Sequence, residues 1–348
     1  MLRWYYNFKS KILLFFMINI AINGFGRIGR QALKAAWVKK NIKVVAVNDL
    51  TDTTTLAHLL KYDTAYGTWP INISHDETNI IIGEKKIPVF AEKDPSLLPW
   101  RKLKVDVVLE CTGRFTDKTG AELHIKAGAK KVIISAPAKG GDVPTYVMAV
   151  NSKKVGAEKS TVINNASCTT NCISPVMQVL EDTFGIAKAM MTTVHGYTAD
   201  QNLQDGPHKD LRRARAAAAN IVPTTTGAAV ATTEAIPELH GTFDGVAIRV
   251  PVPTVSLSDI TAVLKRDVTK EQINAALTKA SLAPRYKNIL AVTNEPLVSS
   301  DFIGNTHSAT VDLALTNVVA GNLVKVIAWY DNEAGYAHRL IEMAEEFA

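Results

Sequence analysis

The sequence predicts an α/β protein of two units: a doubly wound parallel sheet, then an α+β unit with a mixed, mostly antiparallel sheet. Three observations carry this. At 348 residues the chain is too long for one ordinary core. Its front half alternates apolar runs with segments of helical periodicity, the pattern of a parallel sheet covered on both faces. Beyond Ser167 the apolar runs alternate more and are less regularly interrupted by helices.

The elements follow in order. "INIAI" (18–22) reads as a strand and leads into "RIGRQALKAAWVK", apolar at helical spacing, and then "IKVVAVND", a β-branched run. "VDVVLECTG" (105–113), an Ala- and Lys-rich helix (121–129) and "KVIISAP" (131–137) continue the alternation. Beyond the boundary, near 165–167, come "AMMTTVHGY", "GVAIRVPVP", "VSLSDITAVLK" and "LVKVIAWYDN". There is no internal repeat and no low-complexity linker. The N-terminal "MLRWYYNFKSKILLFFM" has a basic start and a short apolar run, but no small-residue cleavage site follows, and Asn19 and Asn23 interrupt any spanning stretch. The start is expected at Met17, or a short exposed tail precedes the domain.

Apolar residues at 47% and charged residues at 21% describe a soluble globular protein. Of the formal charge of +6, Arg3, Lys9 and Lys11 supply half. The mild remainder does not call for nucleic acid and suits a cytoplasmic enzyme of anionic metabolites. Three cysteines, with no C-x-x-C pair, make neither a disulfide framework nor a zinc site, and point to a reducing compartment.

Two stretches carry chemistry. In "NGFGRIGR", Gly24, Gly26 and Gly29 form G-x-G-x-x-G after a strand and at a helix start, where glycines let the backbone approach a pyrophosphate on the helix N-terminus. Asp49 ends the next strand, placed to accept from ribose hydroxyls and to repel a 2′-phosphate, so NAD is expected over NADP. In "NNASCTTNC" (164–172), Cys168 falls at or just before the start of a helix marked by Ile173, Val176, Met177 and Leu180, with Gly185 as its stop. Unpaired amides there favour an anion, so the thiol is expected to ionise readily, while Pro175 invites a kink or a later start. Cys111 and Cys172 fit the commoner fate of a small buried residue, and position alone does not separate Cys168 from them. His195, ending an apolar strand before Gly196, offers the base that thiol chemistry needs. His58, His124, His208, His240, His307 and His338 receive no role.

"INGFGRIGR", "VNDL", "ECTGRF", "ASCTTNC", "HGYT", "RRARAAAANIVPTTTGAA", "IRVPVP" and "WYDNEAGY", in order over 18–348, resemble the phosphorylating glyceraldehyde-3-phosphate dehydrogenases. The resemblance implies an N-terminal tail (1–17), a Rossmann-type NAD-binding domain (18–167, joined by a C-terminal helix, 332–348) and a catalytic domain (168–331). It also implies a homotetramer with an extended interface loop at about 197–222. Cys168 would attack the aldehyde to give a hemithioacetal, His195 would accept its hydroxyl proton, and inorganic phosphate would release the thioester as an acyl phosphate. Thr198 and Arg249 match the holders of the substrate phosphate. Ser167, Thr169, Thr226 and Gly227 match the site of the attacking phosphate. Asn23, Phe25, Gly26, Arg27, Ile28 and Asp49 match the nucleotide-binding set, with Thr112, Ser135, Asn332 and Tyr336 along the rest of NAD. Glyceraldehyde 3-phosphate and phosphate are then the small-molecule partners, with no metal, no membrane and no requirement for nucleic acid.

The resemblance has departures. Val230 stands where lysine is usual, Thr232–Thr233–Glu234 where small or apolar residues are, Ala199 for a frequent asparagine, and Gly206 for leucine before Pro207. The alternative enzyme is an erythrose-4-phosphate dehydrogenase, which hydrolyses the thioester; a binding scaffold on the same fold would show degraded catalytic residues, and none is seen. Replacing Asp49 by Ala is expected to narrow the preference for NAD over NADP, read as the ratio of kcat/KM for the two cofactors. An unchanged ratio means that another group reads the ribose.

Overall fold

The computed structural model describes residues 17–140, 142–155 and 160–348; most of the expected N-terminal tail lies outside the described residues. β1 (Ile18–Asn23), α1 (Arg27–Trp37), β2 (Ile42–Asn48) and α2 (Thr53–Lys61) open the chain, followed by a small hairpin, β3 (Tyr62–Asp63) with β4 (Gly67–Thr68). Then come β5 (Ile73–His75), β6 (Asn79–Ile82), β7 (Lys85–Phe90), β8 (Val107–Glu110), α3 (Lys118–Lys126), β9 (Lys131–Ile134) and β10 (Val162–Asn164). Eight of these strands make one sheet in the order β10-β9-β8-β1-β2-β7-β6-β5. From β10 to β7 all neighbours are parallel, and β6 and β5 are added as antiparallel hairpins. The chain leaves β1 for β2 on one side and later returns to β8 on the other. A crevice therefore opens outside the carboxyl ends of these strands, at the switch point where doubly wound sheets take ligands.

Both faces of the sheet are covered, as the unbroken apolar strands require. Ile20 and Ile22 of β1 face Leu33, Leu56 and Leu60, while Ala21 and Val108 face Trp100 and Ala121 on the other side.

The second unit starts with α4 (Cys168–Phe184), β11 (Ile186–Gly196), β12 (Val222–Thr224), α5 (Ala228–Ala235), β13 (Phe243–Val250) and β14 (Ser256–Leu264). It continues with α6 (Lys270–Ser281), β15 (Leu290–Thr293), β16 (Ala309–Val319) and β17 (Leu323–Tyr330). Its sheet runs β12-β13-β11-β14-β17-β16-β15, with only β11–β13 and β15–β16 parallel. Ile173 and Leu180 of α4 and Ile273 and Leu277 of α6 pack on Ile260, Val311 and Val326 of its inner face. Among the described residues no helix covers the outer face: β14 alternates buried and half-buried residues, and Met190 and Val246 are 64% and 49% exposed. α4 continues through Pro175 and stops at Gly185, whose φ of 70° is the left-handed conformation that glycine adopts freely.

The last helix, α7 (Ala334–Phe347), leaves the second sheet and packs Leu340, Ile341, Met343 and Phe347 into the core of the first. Tyr336 on this helix donates to the Ala166 carbonyl at 3.1 Å, just before α4.

The turn after β1 is shaped by close approach. A Cβ on Gly24 would lie 2.7 Å from the Thr112 amide nitrogen, and one on Gly29 would run into the Gly24 carbonyl, whereas nothing lies within 4 Å of the corresponding point on Gly26. Gly29→Ala is therefore expected to lower stability by about 1–3 kcal/mol, read as a fall in the urea midpoint. Gly26→Ala should stay within about 0.5 kcal/mol of wild type and weaken dinucleotide binding instead.

Candidate active site

Cys168 is the first residue of α4, and Ser167 caps the helix by accepting the Thr170 amide at 3.0 Å. The preceding Ala166 has φ of 53°, unusual for a residue with a side chain, and is held there by Asn164 Oδ1 on its amide (3.0 Å) and Tyr336 on its carbonyl. His195 is the last residue but one of β11, and its Nε2 lies 3.5 Å from Cys168 Sγ. Its Nδ1 is 2.7 Å from the Gly196 carbonyl oxygen and 3.2 Å from Arg249 Nη1. The carbonyl can only accept and is the nearer partner, which assigns the proton to Nδ1, leaves the arginine approach without a hydrogen bond and turns Nε2 to the thiol as an acceptor.

Burial pushes the Cys168 thiol up, against the pull of Arg249 and of the hydrogen bonds at Thr169. Burial, helped by the Arg249 guanidinium, pushes His195 down to about 3. The expectation of a readily ionised thiol is thus corrected for the ligand-free cleft: the anion-favouring groups are present, but desolvation outweighs them, and the pair rests as thiol and neutral imidazole. An acceptor nitrogen facing a protonated thiol is an arrangement in which the thiol can lose its proton to the imidazole.

Arg249 lies on β13, in register beside His195. Its Nη1 donates to Thr198 Oγ1 at 2.8 Å, and its buried Nε has no hydrogen-bond partner. Thr198 donates in turn to Asp200, which pairs with Arg213; Arg213 also donates to Thr224 Oγ1 at 2.9 Å. An unsatisfied guanidinium N–H beside a threonine hydroxyl fits an oxyanion.

These groups line a cleft of about 970 Å³ between the two sheets, together with Arg27, Ile28, Cys111, Ser135, Ser167, Asn332 and Tyr336. Asn332 has its Oδ1 held by Ser256 at 3.0 Å, and Ser256 Oγ also accepts the Gly196 amide. On the glycine turn, Asp49 Oδ2 accepts the Phe25 amide at 2.7 Å. α1 begins at Gly26 with no side-chain cap and no acidic residue in its first turn, leaving its first amides to an anion. Open space at Gly26, uncapped amides and the carboxylate of Asp49 together fit a dinucleotide. Arg27 is clamped by Glu333 and by Asp63 at the mouth of the cleft.

Some expected site residues are placed elsewhere. Thr169 is buried with its hydroxyl on Tyr330 (2.8 Å), Thr226 accepts the Ala228 amide (3.2 Å), and Gly227 caps α5; none of the three lines the cleft. Asn23 is buried, and both ends of its amide are taken by Glu110 and Asn48. Thr112 is turned onto Glu110. Cys111, assigned above to a structural role, borders the cleft, with its thiol pushed up to about 12 by burial. Asp200, Arg213 and Ser256 were not anticipated. The one signal for Arg213 in the sequence is the basic run "KDLRRAR" (209–215), which on its own reads as a solvated or interface-pairing loop.

The described residues contain no group of three or more His, Cys, Asp or Glu that could hold a metal ion, and no helix long and apolar enough to cross a membrane. Residues 18–118 match the family described as "Glyceraldehyde 3-phosphate dehydrogenase, NAD binding domain", and residues 167–332 the corresponding "C-terminal domain". The chain is 54% identical to glyceraldehyde-3-phosphate dehydrogenase of Geobacillus stearothermophilus over 331 residues, 95% of this chain and 98% of that one. It is 52% identical to glyceraldehyde-3-phosphate dehydrogenase 1 of Bacillus cereus (94% and 98% covered) and 53% identical to the Streptomyces coelicolor enzyme (94% and 97%).

Replacing Arg249 by Leu removes one of the two causes that lower His195. The His195 titration, followed by NMR of its ring proton, should move up toward the ordinary histidine value. The pH at which Cys168 is alkylated by iodoacetamide should rise as well. Unmoved titrations would take Arg249 out of the electrostatics of the pair.

Proposed function

The chain belongs to the glyceraldehyde-3-phosphate dehydrogenase family, and from that premise we propose that its cleft oxidises glyceraldehyde 3-phosphate to 1,3-bisphosphoglycerate with NAD and inorganic phosphate. The observation that carries the reading is the 3.5 Å approach of Cys168 Sγ to a proton-free imidazole nitrogen in the cleft that also receives Arg27 and Ile28 of the glycine turn.

His195 Nε2 takes the thiol proton as Cys168 Sγ bonds to the aldehyde carbon, and returns it to the aldehyde oxygen to give a hemithioacetal. Arg249 and Thr198 hold the substrate phosphate, the unpartnered Nε supplying a charge-assisted hydrogen bond. Nε2 then accepts the hydroxyl proton as the carbonyl re-forms. When bound along Asp49, the amides of the glycine turn, Ser135 and Asn332, NAD supplies the acceptor for the departing hydride. The acyl group is left as a thioester on Cys168, so the oxidation energy is kept. A phosphate oxygen attacks that carbonyl, the C–S bond breaks, and sulfur leaves with a proton from His195. Ser167, at the cap of α4 and on the cleft wall, supports a site for this second phosphate.

Residues 18–167 with 332–348 act as the cofactor unit and 168–331 as the catalytic unit, a division supported by the packing of α7 in the first core. The working form is a homotetramer in the cytoplasm. The helix-free outer face of the second sheet and the exposed Leu203 and Leu211 of the segment between β11 and β12 supply the apolar surface for association.

Cys168→Ser should abolish NADH formation from glyceraldehyde 3-phosphate while NAD binding persists; retained turnover would remove Cys168 as nucleophile. Wild-type turnover should require phosphate or arsenate. Phosphate-independent oxidation of erythrose 4-phosphate at a higher rate would overturn the assignment in favour of the tetrose enzyme. Light scattering should return four times the 37.8 kDa chain mass.

A further inference from the structure

Three neighbouring strands of the first sheet end in polar residues that are all but inaccessible: Glu110 closes β8 (1% exposed), Asn23 closes β1 (1%) and Asn48 closes β2 (5%). They are also register partners, Asn23 standing opposite Glu110 on one side and Asn48 on the other. Their side chains join into a row across the sheet. Asn48 Nδ2 donates to Asn23 Oδ1 at 2.7 Å, and Asn23 Nδ2 donates to Glu110 Oε2 at 2.5 Å. At one end Asn48 is tied to the Glu92 backbone at both its amide atoms (2.9 Å each). At the other, Trp100 Nε1–H donates to His124 Nδ1 at 3.0 Å, so the His124 proton is on Nε2, which donates to Glu110 Oε2 at 3.1 Å. Asn23 Nδ2, 3.3 Å from that nitrogen, is a second donor to the same oxygen and not a partner of the ring. Glu110 Oε1 accepts the Thr112 amide at 2.8 Å and the Thr112 hydroxyl as well.

A buried carboxylate with four donors and no cation is costly unless every acceptor site is satisfied. Such a row is not needed to hold the sheet, whose apolar strands on both sides already do so. What it touches is the mouth of the crevice. The residue after Asn23 is Gly24, whose Cα would lose its clearance from the Thr112 backbone with any added atom. The residue after Asn48 is Asp49, whose carboxylate holds the Phe25 amide. Both walls of the glycine turn are thus referenced to one carboxylate.

We infer that Glu110 is a positioning residue for the dinucleotide. Through Asn23, Asn48 and Thr112 it sets the spacing of three strand ends and so the affinity for NAD. This rests on the NAD reading above and gives Asn23 and Thr112 a different part in it: their side chains are spent on Glu110 and act on the cofactor through the backbone they position.

The test uses the purified full chain, with NAD binding followed by fluorescence titration and initial rates taken at saturating aldehyde and phosphate. Glu110→Gln replaces an acceptor oxygen with an NH₂ that must face either the Asn23 or the Thr112 donor. It should raise the Kd and KM for NAD at least tenfold and leave kcat within threefold. Asn48→Ala, at the far end of the row, should shift the same constants in the same direction, and the double variant should fall short of the product of the two because both act through Asn23. Leu277→Ala, in the α6 core remote from the crevice, should lower Tm without changing the KM for NAD. The inference is overturned if Glu110→Gln loses stability like Leu277→Ala while its KM for NAD stays at the wild-type value, or if the two row variants multiply independently. Should Glu110→Gln not fold, an Asn48→Ala protein with wild-type NAD affinity overturns it equally. Failure of the underlying reading looks different: the wild-type chain itself would not bind NAD.

Discussion

By accepting the Thr170 amide, the Ser167 hydroxyl fixes the residue at which α4 begins, and the chemistry of the cleft follows from that starting point. One residue later and the sulfur would turn with the helix by about 100°, away from the imidazole. The same start demands a left-handed Ala166, which is kept in place by an asparagine before it and by a tyrosine on the last helix. The nucleophile's position is therefore written in residues drawn from both sheets. Arg249, one strand over from His195, adds the charge that both depresses the imidazole and leaves an N–H free for an oxyanion.

Desolvation makes this arrangement work as a concerted device. A cation and a helix N-terminus alone would leave a standing thiolate, open to alkylation and oxidation. With the thiol pushed up and the imidazole pushed down by the same burial, the ligand-free pair is held without a separated charge. An anion bound on Arg249 would remove part of the cation's influence on His195 and so make the imidazole a better base.

The local patterns were largely legible in the sequence. The glycine turn, Asp49, the apolar strands and the helix from Cys168 to Gly185 all follow from spacing and residue type, because turns, caps and periodicity are properties of neighbours in the chain. Partnerships across the fold were not. His124 has no sequence mark that sets it apart from the other histidines left without a role, and it joins Glu110 only because the fold brings α3 to the end of β8. Thr169 stands beside the nucleophile in sequence, yet it turns onto Tyr330 of β17. Arg213, in a run that reads as solvated, is three-quarters or more covered and neutralised by Asp200. In each case the deciding contact is long-range, and composition carries no trace of it.

The C-terminal helix α7 has a consequence for how the polypeptide is made. β10 completes the first sheet at Asn164, but Leu340, Ile341, Met343 and Phe347, which close one side of that sheet's core, are translated about 180 residues later. At ribosomal rates of about 5–20 residues per second, the half-built nucleotide unit waits roughly 10–30 s with that apolar wall open. Throughout that interval it is a natural client for a holdase, and it consolidates only once α7 has been made.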